Sequence, residues 1–88
     1  MKKNKTIWTV IVTHDDFDTP THTDIYNYDN QEKAENKFME LYNKRKNQTE
    51  DPNDPAYGSE LLRKSNRYTC FVENWFHETC QIYENQIM

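Results

Sequence analysis

Residues 6–14 (TIWTVIVTH) do most to limit what this chain can fold into. The segment is almost entirely β-branched and aromatic, which suits an extended strand and disfavours a helix. Successive side chains in a strand point to opposite faces. Trp8, Val10 and Val12 therefore face one way, and Ile7, Thr9, Ile11 and Thr13 the other. Both faces are partly apolar. That pattern predicts a central strand, or one covered on both sides, and rules out a purely helical domain.

The neighbouring segments extend the sheet. Residues 15–20 (DDFDTP) carry turn chemistry, because Asp side chains bond nearby backbone groups and Pro20 lacks a donor. Residues 21–28 then read as a second strand returning as a hairpin. Asp29 and Glu32 fit a capping box that opens a helix, with Ala34, Phe38, Leu41 and Tyr42 as its buried stripe. Lys33, Lys37, Glu40 and Lys44 fall on the opposite face, and Lys44, Arg45 and Lys46 are expected at the helix C-terminus. A polar loop is expected over 47–56. Asp54 and Pro55 could then open a short helix running to Ser65, a reading that Gly58 weakens. Residues 67–75 and 76–84 read as a terminal hairpin.

The fold expectation is α+β: a four-stranded antiparallel sheet, β-β-α-β-β, with one main helix packed on one face. Its 88 residues make a single domain, 1–88, with 1–5 expected as a disordered tail. Charged residues make up 30% of the chain, a balance close to that of disordered sequences. Two Trp, six Tyr and four Phe supply the buried area that a folded core needs. No apolar run is long enough to span a bilayer, and the basic start leads into an alternating stretch rather than a signal h-region. A cytoplasmic protein with no membrane partner is expected.

Catalytic signatures are missing. There is no nucleophile elbow, Walker loop or metalloprotease helix, and one glycine cannot build a phosphate cradle. No enzyme activity and no cofactor are expected. The acids of residues 15–18 lack the glycine and glutamate that a calcium loop of the EF-hand kind requires. Cys70 and Cys80 fall opposite one another if the last hairpin turns through Asn74, Trp75 and Phe76. Two buried thiols are the expectation, with a disulfide or a zinc site shared with His14, His22 or His77 as the alternatives.

Charge is sorted along the chain. Residues 6–32 carry Asp15, Asp16, Asp18, Asp24, Asp29 and Glu32 with no Lys or Arg. Residues 68–88 carry Glu73, Glu78 and Glu84, again with none. The formal net charge is only −4, so cations are concentrated elsewhere, and direct nucleic-acid binding is not expected. On the last hairpin Cys70, Val72, Cys80 and Ile82 share one face, leaving Phe71, Trp75 and Tyr83 on the other. If the helix covers the aliphatic face, an aromatic surface bordered by carboxylates faces outward. Such a surface suits docking on a basic protein, with aromatic anchors and charge steering. The residues expected to bind are Asp15, Asp16, Asp18, Asp24, Tyr26, Tyr28, Glu73, Trp75 and Glu78. Simple solvation of a small sheet is the competing account, but it leaves the missing cations unexplained.

The layout of Trp8, Val10 and Val12, an acidic hairpin, Asp29 with Glu32, Ala34 and Phe38, and a closing Ile82-Tyr83-Glu84 resembles small phage or mobile-element accessory proteins. That resemblance, to anti-CRISPR-type inhibitors and DNA mimics, implies inhibition by occlusion of a basic, nucleic-acid-handling enzyme. The alternatives are a homodimeric structural or virion-associated protein and, third, a zinc-binding regulator.

Overall fold

The computed structural model describes residues 5–87. Five strands and one helix follow in the order β1 (Lys5–Asp16), β2 (His22–Tyr28), α1 (Gln31–Glu50), β3 (Glu60–Lys64), β4 (Arg67–Val72) and β5 (Phe76–Ile87). They form one antiparallel sheet of order β2-β1-β5-β4-β3, with α1 on one face. The general α+β class stands, but the expected four-stranded sheet is corrected to five. The expected tail falls mostly outside the described residues; Lys5 already belongs to β1.

β1 is central, between β2 and β5, as its two apolar faces require. Its Val10 and Val12 point toward the helix and are buried with Ala34, Phe38, Tyr68, Cys70, Val72, Phe76 and Cys80. Trp8, Tyr26, Tyr28, Leu41, Tyr42, Leu61 and Ile82 pack around that core.

The extra strand, β3, replaces the short helix expected over 54–65. Glu60, Leu61, Leu62, Arg63 and Lys64 are all ready helix formers, yet they pair with the free edge of β4, Leu62 opposite Thr69. Leu61 packs on the core, and the Arg63 guanidinium lies 5.0 Å from the Tyr42 ring centroid. Gly58, at φ 77°, turns the chain into the strand with a backbone geometry that disfavours other residues.

The helix also differs at both ends. Asn30, not Asp29, is the N-cap: its extended backbone places Oδ1 to accept from Lys33 N at 3.2 Å. Asp29 instead approaches Lys33 Nζ at 3.9 Å. The helix continues through Glu50, so the loop expected at 47 begins at Asp51. There Pro52 forces its predecessor into an extended conformation. As a result Lys44, Arg45 and Lys46 lie in the body of the helix, and its last turn carries no basic residue.

The terminal hairpin turns one residue earlier than a Cys70–Cys80 pairing needs. Glu73, Asn74 and Trp75 form the turn, with Trp75 N donating to Val72 O at 3.0 Å and Asn74 at φ 63°. A type II turn requires a positive φ at that position, and Asn tolerates it well. Phe76 is thereby released from the turn into the core, opposite Val72. The register then sets Cys70 against Glu78 and Cys80 against Tyr68. Both cysteines are buried free thiols. Burial pushes the Cys80 thiol up to about 12, with the Glu78 charge adding to the effect.

Candidate functional site

The nine expected binding residues fall into two groups, one at the hairpin turns and strand ends and one beneath the helix. Asp15, Asp16, Asp18, Glu73 and Trp75 gather at one end of the molecule. Asp24, Tyr26, Tyr28 and Glu78 point to the helix side. The expected outward face combining all nine is therefore corrected. Strand parity explains the split: Tyr26 pairs with Val10 and Tyr28 with Trp8, both of which face the helix. Lys37 Nζ lies 4.6 Å from the Tyr26 ring centroid, so a cation already covers that aromatic.

Glu78 shares the parity of Phe76 and Cys80, and its side chain is only 6% exposed. Arg45 reaches it from the helix through Nε to Oε2 and Nη2 to Oε1, the latter at 3.1 Å. Tyr68 donates its hydroxyl to Oε2 at 3.2 Å, and Arg45 Nη1 donates to Gln48 Oε1 at 2.7 Å. A forked guanidinium–carboxylate pair of this kind satisfies a buried charge on both sides. Burial opposes the Arg45 charge, but the hydrogen bonds and charge of Glu78 outweigh it and hold its pKa above the ordinary value. Burial, then the Glu78 charge, raises Tyr68 as well. The pair floors a cleft of about 250 Å³ that also meets His14, His22, Asp24 and Lys44. His14 Nδ1 lies 3.7 Å from Glu78 Oε1, and His22 Nε2 lies 2.8 Å from Asp24 Oδ1. Opposite charges balance within this cleft, and the Arg45 donors are engaged. Among the described residues no group of three or more His, Cys, Asp or Glu side chains is placed to hold a metal ion.

In the other group Asp15, Asp18, Glu73 and Trp75 are exposed and Asp16 is half-buried. The turn after β1 and the turn before β5 are tied by a backbone hydrogen bond, Phe17 N to Trp75 O at 3.1 Å. Local acid chemistry shapes the first turn: Asp16 Oδ1 accepts from Asp18 N at 3.0 Å, and Asp15 Oδ1 accepts from Thr21 Oγ1 at 3.3 Å. Phe17 is 53% exposed and Trp75 is 37% exposed, although both are large and apolar. Trp75 rests edge-on against the buried Phe76, with centroids 5.1 Å apart, which fixes its position.

The loop between α1 and β3 joins this end. Gly58 N donates to Thr49 O at 2.9 Å, and a groove beside it runs from Pro55 to Glu60 along Phe71, Val72 and Glu73. Asp51 and Asp54 accept backbone N–H bonds from Asn53 and Ala56. These acids, with Glu60 and the exposed Tyr57, are functional candidates that sequence reasoning did not select. Phe17 was the most accessible to such reasoning: an aromatic flanked by Asp16 and Asp18 in a turn has no strand face to bury it. The three segments 15–23, 50–62 and 71–83 contain no Lys or Arg. Charge sorting thus becomes an acidic end carrying aromatics, rather than an acidic face.

No helix among the described residues is long and apolar enough to cross a membrane. No family model, curated protein or solved structure matches the chain.

Proposed function

We propose that the protein is a non-enzymatic interaction module that docks its acidic end on a basic protein surface. The observation carrying this reading is the Phe17–Trp75 backbone link. It joins the backbones of two exposed aromatics on separate hairpins, with Asp15, Asp16, Asp18 and Glu73 in the same two turns and strand ends. Aromatic anchors supply desolvated contact, and the surrounding carboxylates steer a cationic partner and reject an anionic one. The mode of action is occlusion, as in a phage-type inhibitor covering the basic groove of a nucleic-acid-handling enzyme. A cytoplasmic setting fits the two buried thiols, which an oxidising compartment is not needed to stabilise.

The test is capture from a lysate of the source cells, followed by affinity measurement on the captured protein. The partner should present a basic surface, and affinity should fall at least tenfold between about 50 and 300 mM salt, mainly through slower association. Phe17→Ala with Trp75→Ala should abolish capture. Equal capture by the Asp15→Asn, Asp16→Asn, Asp18→Asn triple variant and by the unmodified chain would sink the proposal.

A further inference from the structure

The sheet has two edges, and they are built differently. β3, at one edge, carries Glu60, Arg63 and Lys64, all exposed. Charges of this kind keep an edge strand from recruiting another. β2, at the other edge, has none of the usual guards. Its residues pair with β1 in unbroken register, without a bulge, and include no proline, lysine or arginine. Asp24 is its single carboxylate, and Ile25 at its midpoint is 59% exposed. Alternate residues of an edge strand turn their N–H and C=O away from the sheet, and among the described residues no strand lies there to take them.

We infer that β2 pairs antiparallel with β2 of a second copy, about a two-fold axis through Ile25 and perpendicular to the sheet. This two-fold register engages all 7 residues of the strand. Ile25 meets the partner's Ile25, Thr23 the partner's Asn27, Asp24 the partner's Tyr26, and His22 the partner's Tyr28. The last three contacts each occur twice, as an isologous interface demands. Moving the axis to Asp24 shortens the overlap and sets two carboxylates face to face, which is destabilising. Moving it to Tyr26 shortens the overlap as much and sets Ile25 against Asn27.

Charge favours the same register. Lys37 Nζ lies 4.6 Å from the Tyr26 ring centroid on the helix side. Each Asp24 therefore meets the partner's Tyr26 with a lysine above it, while the two Asp24 side chains are only diagonal neighbours. Any extended peptide satisfies the backbone groups; the side-chain match along the whole strand is supplied by β2 itself. The joint adds about six to eight backbone hydrogen bonds and little apolar burial, so it is a small, concentration-dependent interface. Phe17, Trp75 and the acids of the two turns lie outside the paired segment. The result is one continuous sheet with both helices on the same side.

Sedimentation equilibrium on the full chain, from about 5 to 500 μM, tests this by mass action. The mass should rise from the 10.7 kDa of one chain toward twice that value. Ile25→Lys sets two cations against each other on the axis and should raise the dimer Kd at least tenfold. Leu62→Lys, the matching change on the β3 edge, should leave Kd within twofold. Both side chains are exposed, so near-ultraviolet circular dichroism should remain unchanged and separate dissociation from unfolding. Hydrogen exchange at the β2 amides that point away from β1 should slow at least threefold across the same concentration range. A single-chain mass at 500 μM overturns the inference, as does exchange at those amides that ignores concentration. So does a dimer that survives Ile25→Lys, or one lost on changing Leu62, or Phe17 and Trp75, instead.

Discussion

Glu78 and the group Asp15, Asp16, Asp18 and Glu73 are the same chemistry in two environments. Glu78 lies under the helix, where Arg45 and Tyr68 occupy its oxygens. The others stand at the sheet end, where Asp16 and Asp15 accept only from groups of their own turn. Sequence charge counts treat all five alike. Their difference comes from strand parity and from one helical cation long enough to reach the sheet. A carboxylate withdrawn from water organises the inside of this molecule; those left in water define its outside.

Breaking the inner half of the comparison should have the largest effect. Arg45→Ala strands a buried carboxylate, so urea unfolding should show a loss of about 3–5 kcal/mol. Replacing both partners, Arg45→Met with Glu78→Leu, should recover most of that loss, because an apolar pair removes the unmatched charge. If the double variant is as unstable as Arg45→Ala, the ion pair contributes more than mutual compensation.

Alkaline titration sharpens the same contrast at a smaller scale. Burial pushes the Cys80 thiol up to about 12 in the folded chain, well above its ordinary value. A raised folded value means that the unfolded chain loses its proton first. Stability from the neutral thiol is therefore complete below about pH 9, falls as pH rises, and is lost by about pH 12. The slope is up to about 1.4 kcal/mol per pH unit. Cys80→Ala should make the limb shallower between about pH 9 and 10, below the range where the raised Tyr68 hydroxyl adds its own slope, and an unchanged limb there would assign the loss to other groups.

The outer half should barely respond in stability. Changing Asp15, Asp16 and Asp18 to Asn keeps the accepting oxygens of the turn, so unfolding should shift by no more than about 0.5 kcal/mol per site. The same variant should lose partner capture. A large stability change would mean that these acids hold the fold rather than present a surface.

Much of this arrangement was legible in the residues. β1, β2 and the body of α1 follow from strict alternation at Trp8, Val10 and Val12 and from the spacing of Ala34, Phe38 and Tyr42. β3 was not, because Glu60-Leu61-Leu62-Arg63-Lys64 has helical propensity, and only the unpaired edge of β4 makes it a strand. Tyr26 and Tyr28 were misplaced because both faces of β1 are apolar, which leaves the covered side undetermined. Glu78 could have been found: it alternates with Phe76 and Cys80, and a carboxylate on that face demands a cation such as Arg45. The meeting of the two hairpin tips depended on the sheet order, which local patterns do not contain.

That order also governs how the chain reaches its structure. β1 and β5 sit together at the centre of the sheet, yet even their nearest paired residues, Asp16 and Phe76, are 60 positions apart. The β1–β2 and β4–β5 ribbons close through short turns and can assemble on their own timescale, whereas the central seam must wait for a long chain segment to be brought round. The rate-limiting event is therefore expected to be the joining of two preformed ribbons, with the helix laid across them. Substitutions along the seam, such as Val10→Ala, should slow refolding more than equally destabilising changes in β3.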